Sequence, residues 1–156
     1  MNAVDQKLIE MGIALPAPAA PVANYLPFVR TGNLIVISGQ LCLAADGAIA
    51  DAHKGKLGAG VSPDQGREAA RLCAINLLAQ LKAAVGDFDR VVRCVRLGGF
   101  INATPDFASL AGVMNGASDL IVAVFGDKGR HARSTIGVAE LPLDASVEVE
   151  AMFEVK

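Results

Sequence analysis

From Val147 onward the chain alternates without a break. Val147, Val149, Ala151, Phe153 and Val155 fall on one side, and Glu148, Glu150, Met152 and Glu154 on the other. A two-residue period predicts a strand with one buried face, and it turns Glu148 away from the local core. Residues 131–139 read as another strand, and the turn near Pro142–Leu143 predicts that the two runs pair as a hairpin. Upstream, Leu26–Arg30 and Leu34–Ser38 flank Thr31-Gly32-Asn33, a second hairpin signal with Gly32 supplying the turn. A further extended piece follows Gln40 and reaches a turn at Asp46-Gly47. Val91 to Ile101 is strand-like too, and its Gly98-Gly99 pair predicts a bulge or bend.

Other stretches repeat at helical spacing. Val4, Leu8 and Met11 predict a short amphipathic helix closed by Gly12. Ser62-Pro63-Asp64-Gln65 is a helix start, with Ser as cap, Pro at the first position and Gln three after the cap. Ala70, Cys73, Ala74, Leu77, Leu78, Leu81, Ala84 and Val85 then form the apolar stripe, with Glu68, Arg71 and Lys82 off it and Gly86 at the end. A second long helix is expected to open at Pro105 or Asp106 and end near Gly126. Residues 46–61, rich in Gly and Ala, read as an exposed loop. Single strands and hairpins between two helices predict an α+β sheet with both helices on one face, in one domain spanning residues 1–156 with an N-terminal extension at about 1–20.

Composition narrows the partners. Fourteen basic against 16 acidic residues give a net charge of −2, which offers no electrostatic case for nucleic acid or an anionic membrane. Hydrophobic residues make up 53 % of the chain but aromatics only 4 %. That surplus of Ala, Val and Leu predicts a substantial oligomer interface. The long uncharged stretch Gly12 to Val29 is interrupted by Pro16, Pro18, Pro21 and Pro27 and cannot be a continuous helix. Asp5, Lys7 and Glu10 break any signal-peptide core, so a cytoplasmic protein is expected. Cys42, Cys73 and Cys94 are odd in number and widely spaced, and with His53 and His131 the only histidines nothing has metal-ligand spacing. Packing is the simplest role for all three thiols, although Cys42 follows the strand that ends in Ser38-Gly39-Gln40.

Two charges stand out in the C-terminal strands. Arg133 is a permanently charged fork that fits a carboxylate in bidentate fashion, and Glu148 is an acceptor able to hold or deprotonate a water. Together they are a minimal kit for hydrolysing a small carboxylate substrate; the plain alternative is a salt bridge, or two solvated strand residues. In the predicted hairpin Arg133 lies opposite roughly residue 153, on the order of 17 Å from Glu148 at ~3.3 Å per residue. The two should not meet within one hairpin. They could meet across a subunit boundary.

Ala132-Arg133-Ser134, then Leu141-Pro142, then Val147-Glu148-Val149-Glu150-Ala151 resembles the C-terminal signature of the Rid family, the YjgF-type reactive-intermediate deaminases. Pro21-Val22-Ala23-Asn24-Tyr25 is similar to that family's early Pro…Tyr segment, and Ile35-Val36-Ile37-Ser38-Gly39-Gln40 to its strand ending in S-G-Q. Phe100 to Phe107 and Met114-Asn115 resemble the stretch before and into its second helix. The matches keep their order from about residue 21 to 155.

The resemblance implies a chorismate-mutase-like fold, a homotrimer with sites in the clefts between subunits, and hydrolysis of enamine or imine intermediates such as 2-aminoacrylate to keto acid and ammonia. Arg133 would clamp the substrate carboxylate and Glu148 would hold the water. Ser38 and Tyr25 would position substrate or water, Gly39 would allow close approach, and Asn115 and the main chain at Thr135 would contact the ligand. No cofactor or metal is expected, because an imine carbon is already electrophilic. Each residue also has an ordinary role: Ser38 a turn hydroxyl, Tyr25 a packing residue, Asn115 a helix-surface residue. His131 reads as a rim residue where family members often have Pro, and Thr135 stands where well-known deaminating members have Cys. Two rivals remain: a non-catalytic trimer that binds small carboxylic acids, and an endoribonuclease.

Overall fold

The computed structural model of the chain describes residues 1–21 and 23–156; Val22, within the Pro…Tyr segment, lies outside the described residues. The elements run α1 (Ala3–Glu10), β1 (Phe28–Thr31), β2 (Leu34–Leu41), α2 (Pro63–Val85), β3 (Val91–Asn102), α3 (Leu110–Phe125), β4 (Ala132–Val138) and β5 (Val147–Val155). The strands form one sheet in the order β1-β2-β5-β3-β4. α2 packs on β2 and β5, and α3 on β3 and β4, so both long helices cover one face. The α+β expectation holds.

Local chemistry explains most boundaries. Ser62 accepts from the Gln65 N–H while the Gln65 side chain accepts from the Ser62 N–H, and Gly86 closes α2 at φ 75°. This reciprocal cap satisfies two otherwise orphaned donors. Asn2 caps α1 by accepting from Asp5 N–H at 2.8 Å. The α2 stripe and the inward set of β5 are both buried: Cys73, Leu77, Leu78, Leu81, Val147, Val149 and Phe153 are all fully enclosed. α3 crosses α2 closely at Gly116, where a Cβ would lie 2.0 Å from the Arg67 carbonyl oxygen. Among the described residues the segment Leu110–Gly129 is long and apolar enough to cross a membrane by composition. Here it is the core helix, burying Val113, Met114, Ala117 and Ile121.

Four expectations need correction. First, β4 and β5 are not a hairpin: β4 pairs in parallel with β3 at the sheet edge, and β5 inserts between β2 and β3. The reason is burial, since β5 alternates strictly and is covered by helix, whereas β4 has the half-exposed pattern of an edge. Second, residues 46–61 are an exposed loop for most of their length but are anchored in the core at four positions. Ile49, His53, Leu57 and Val61 are buried, Leu57 bridges Val61 and Ala103, and Lys56 Nζ donates to Asn102 Oδ1 at 2.6 Å and also to the Ala139 carbonyl. Third, α3 opens at Leu110, because Thr104 Oγ1 donates to Asp106 Oδ1 and Phe107 N–H to the Thr104 carbonyl, closing a turn first. Fourth, Gly98-Gly99 is regular strand, and the β3 irregularities lie earlier, at Val91/Arg93 and Cys94/Arg96. The two glycines instead make room: a Cβ on Gly98 would meet Glu150 and Arg96, and one on Gly99 would meet the Met114 sulfur at 2.4 Å.

Candidate active site

β2 does not end at Ser38. It continues to Leu41 through a register shift between Ile37 and Gln40, where Ile37 pairs with Ala151 and Gln40 with Val149. Ser38 and Gly39 thus oppose a single residue, Glu150, as a β-bulge. The extra residue keeps both Ile37 and Gln40 on the helix-covered face. Gln40 is buried, and its side-chain amide donates to the Ser38 carbonyl at 3.0 Å, pinning the bulge from within. The sequence hinted at Ser38 and Gly39 but not at Gln40 as their support.

Glu148 sits against this bulge. Its carboxyl carbon lies 2.8 Å and its Oε2 2.9 Å from where a Gly39 Cβ would be. Only glycine leaves that space open to the carboxylate. Glu148 projects from the face opposite the helices and is half-buried, between the fully buried Val147 and Val149. Burial pushes its pKa up, and the neighbouring Glu150 carboxylate pushes it further the same way. Both effects disfavour the charged form, so Glu148 holds a proton more readily than an ordinary glutamate. Gly39→Ala is expected to keep the fold, because the displaced atoms are the end of a flexible side chain. It should nonetheless lower any reaction that uses Glu148 by roughly tenfold or more, which steady-state kinetics beside a melting curve would read.

Gly39 also lines a cavity of about 530 Å³ together with Tyr25, Pro27, Leu41, Leu43 and Leu143. Tyr25 is half-exposed at its wall. Ser38 Oγ donates to the Leu26 carbonyl at 2.7 Å, and Ser38 N–H donates to Pro27. Ser38 is therefore a hydroxyl that ties the segment before β1 to the bulge, as its ordinary reading had it. Gly39 is the member this group shares: Tyr25 lines the cavity with it, Ser38 precedes it in the bulge, and Glu148 packs on it without lining the cavity.

Arg133, Asn115 and Thr135 form another, and the sheet separates the two groups. Arg133 is in register with the fully buried Leu97 on the helix-covered face. Its Nη1 donates to Ser118 Oγ at 3.0 Å and its Nη2 to the Ala111 carbonyl at 3.3 Å, both on α3. Ala111, Asn115 and Ser118 recur at i, i+4 and i+7, so the exposed Asn115 shares the stripe that holds Arg133. Thr135, two residues on, turns to the same face, and its Oγ1 is buried with no hydrogen-bond partner among the described residues. Arg133 and Glu148 thus lie on opposite faces of the sheet. The expectation that they do not meet within one chain holds, though hairpin distance is not the cause.

His131 is not simply a rim residue. Its Nε2 is 2.9 Å from Ser118 Oγ and its Nδ1 2.6 Å from the Gly129 carbonyl oxygen. Cys42, Cys73 and Cys94 are free and buried; burial pushes the Cys94 thiol up to about 12 and the Cys73 thiol well above its ordinary value. Cys42 Sγ turns into the core toward the His53 carbonyl, away from the Gly39 cavity. Among the described residues no three His, Cys, Asp or Glu side chains converge as a metal cage.

Residues 5–155 match the model of the family described as "YjgF/chorismate_mutase-like, putative endoribonuclease". Protein TCP17 of Trypanosoma cruzi is 46 % identical over 152 residues, covering 97 % of this chain and 93 % of that protein. The 2-iminobutanoate/2-iminopropanoate deaminase of Dermatophagoides farinae is 27 % identical over 144 residues, covering 92 % and 95 %. The crystal structure of Atu1372 from Agrobacterium tumefaciens, a protein of unknown function, superposes with a TM-score of 0.90 at 44 % identity, over 99 % of this chain and 94 % of that one.

Proposed function

The chain belongs to the YjgF/chorismate mutase-like family, and we propose that within it this protein hydrolyses imines or enamines of small 2-amino acids to 2-keto acids and ammonia. The observation that carries this reading is the Glu148 carboxylate, seated on side-chain-free Gly39, which itself lines a cavity, and with its pKa raised. A general base works best with a pKa drawn toward the operating pH. The distant mite relative is named for the same reaction class.

In the proposed mechanism Arg133 binds the substrate carboxylate and fixes the C=N carbon in line with a water held by Glu148. Glu148 takes a proton as the water oxygen bonds to that carbon, giving a carbinolamine. That proton passes to the nitrogen; Glu148 then takes the carbinolamine hydroxyl proton and gives it to the amine as the C=O forms and the C–N bond breaks, and keto acid and ammonia leave. Imine carbon is electrophilic without a metal or an organic cofactor.

Because Arg133 and Glu148 face opposite sides of the sheet, this chemistry needs the Arg133 group of one copy beside the Glu148 group of another. The helix-free face supports such an assembly: Val29 and Ile136 on it are about half exposed, at 49 % and 51 %. A homotrimer is the proposed form. Light scattering at micromolar concentration should give about three times the 16.1 kDa chain mass; a stable monomer would remove the composite site. An RNA partner is disfavoured, since Glu148, Glu150 and Glu154 lie on that same face and the net charge is −2.

The test of function is a panel of amino-acid imines generated in situ by an amino-acid oxidase, with keto acid release measured against spontaneous decay. Catalysis above background on at least one small imine is expected. Binding of keto acids with no turnover on any imine would replace the enzyme with a carboxylic-acid sensor.

A further inference from the structure

We infer that Ser118 and His131 are a positioning relay that fixes the Arg133 guanidinium for its carboxylate, an inference that rests on the role given to Arg133 above. Gly129 sets the direction of the line. Its carbonyl oxygen can only accept, and His131 Nδ1 lies 2.6 Å away, so Nδ1 carries the proton. In its singly protonated form the ring then presents a bare Nε2. Ser118 Oγ, 2.9 Å from Nε2, donates its hydroxyl proton there. The lone pairs of the same oxygen are left to accept from Arg133 Nη1 at 3.0 Å. Each group in the line has one role: Arg133 donates to Ser118, Ser118 to His131, and His131 to Gly129.

The direction matters because a serine on a helix has a competing habit. Its hydroxyl readily donates back to a carbonyl one turn earlier, which would re-aim the lone pairs that Arg133 uses. The His131 acceptor holds the hydroxyl in one orientation. With the Ala111 carbonyl taking Nη2, the guanidinium is keyed to α3 at two points. One N–H on each Nη, and Nε–H, stay available for a carboxylate.

Calorimetry with 2-oxobutanoate on the assembled protein tests the inference. Ser118→Ala and His131→Leu should each weaken binding by about fivefold or more. His131→Gln, whose Oε1 can take the place of Nε2 as acceptor, should stay within about twofold of wild type. The double variant Ser118→Ala/His131→Leu should bind no more weakly than Ser118→Ala alone, because both changes break one line. Wild-type affinity in His131→Leu, or losses that add in the double variant, would overturn the relay. Long-range ¹H–¹⁵N spectra of the His131 ring give an answer that does not depend on ligand: the Nδ1–H tautomer is expected, and Nε2–H would refute it. Unchanged binding in Arg133→Lys would instead remove the role of Arg133, with the tautomer still deciding the relay.

Discussion

Glu148→Gln should leave keto acid binding intact and lower imine hydrolysis by roughly 10²-fold or more, the scale for losing a positioned acid–base group. Gln keeps the size and one acceptor oxygen but cannot take a proton from water. Because burial and Glu150 raise the Glu148 pKa, kcat/KM of the wild type should fall on the acid side at a pH above the ordinary carboxylate range, and this limb should vanish from the residual activity of the variant. Stability should move the other way. A carboxyl that ionises later in the folded state costs nothing below its unfolded pKa; the cost sets in as pH rises past that value and is complete above the folded one. Glu148→Gln should therefore match the wild type in acid and melt at an equal or higher temperature near neutrality. Lower activity without lower stability is the signature of a charge kept for function. Equal activity in variant and wild type would leave the reaction class standing and move the water to another residue.

Arg133→Lys should weaken binding of small 2-keto acids by tenfold or more. A guanidinium has five N–H donors, and Ser118 and Ala111 engage one on each Nη. Three remain, enough for a two-pronged carboxylate contact. Lysine has three donors on a single nitrogen, so it cannot hold both α3 partners and a carboxylate in bidentate fashion. Hydrogen bonds to charged groups contribute ~1.5–3 kcal/mol each, and tenfold in affinity is ~1.4 kcal/mol; losing one prong accounts for the effect. Calorimetry with 2-oxobutanoate measures it. Unchanged affinity in an intact oligomer would make Arg133 a strut between β4 and α3.

Much of this was legible in the residues themselves. The β5 alternation is a local signal, as is the Ser62-Pro63-Asp64-Gln65 start of α2, and each survives because packing and local preference agree. Pairing partners are not local. Nothing in residues 131–139 says that β4 lies parallel to β3, and the turn at Pro142 invites the hairpin that burial of β5 forbids. The buried anchors of the 46–61 loop were not legible for a related reason: glycines such as Gly55 and Gly58, at φ 104° and 88°, signal turning but not where Leu57 goes. At the site, Arg133, Glu148 and Gly39 were identified from residue type and motif. The Ser38–Gly39 bulge and the Gln40 amide beneath it depend on register with β5 and leave no mark in one strand alone. Ser118 and His131 are chemically ordinary until β4 brings Arg133 to α3.

In the proposed assembly Arg133 of one copy and Glu148 of another complete one hydrolytic site. Co-expression of Arg133→Lys and Glu148→Gln chains tests it directly, with hybrids isolated and assayed on a small amino-acid imine against spontaneous decay. In a three-membered ring that holds both chains, an intact Arg133 meets an intact Glu148 at about a third of the interfaces. Hybrids should regain about that share of wild-type activity, although each variant alone is nearly inactive. Hybrids no more active than the parent variants would place both residues' work within single chains and contradict the composite site.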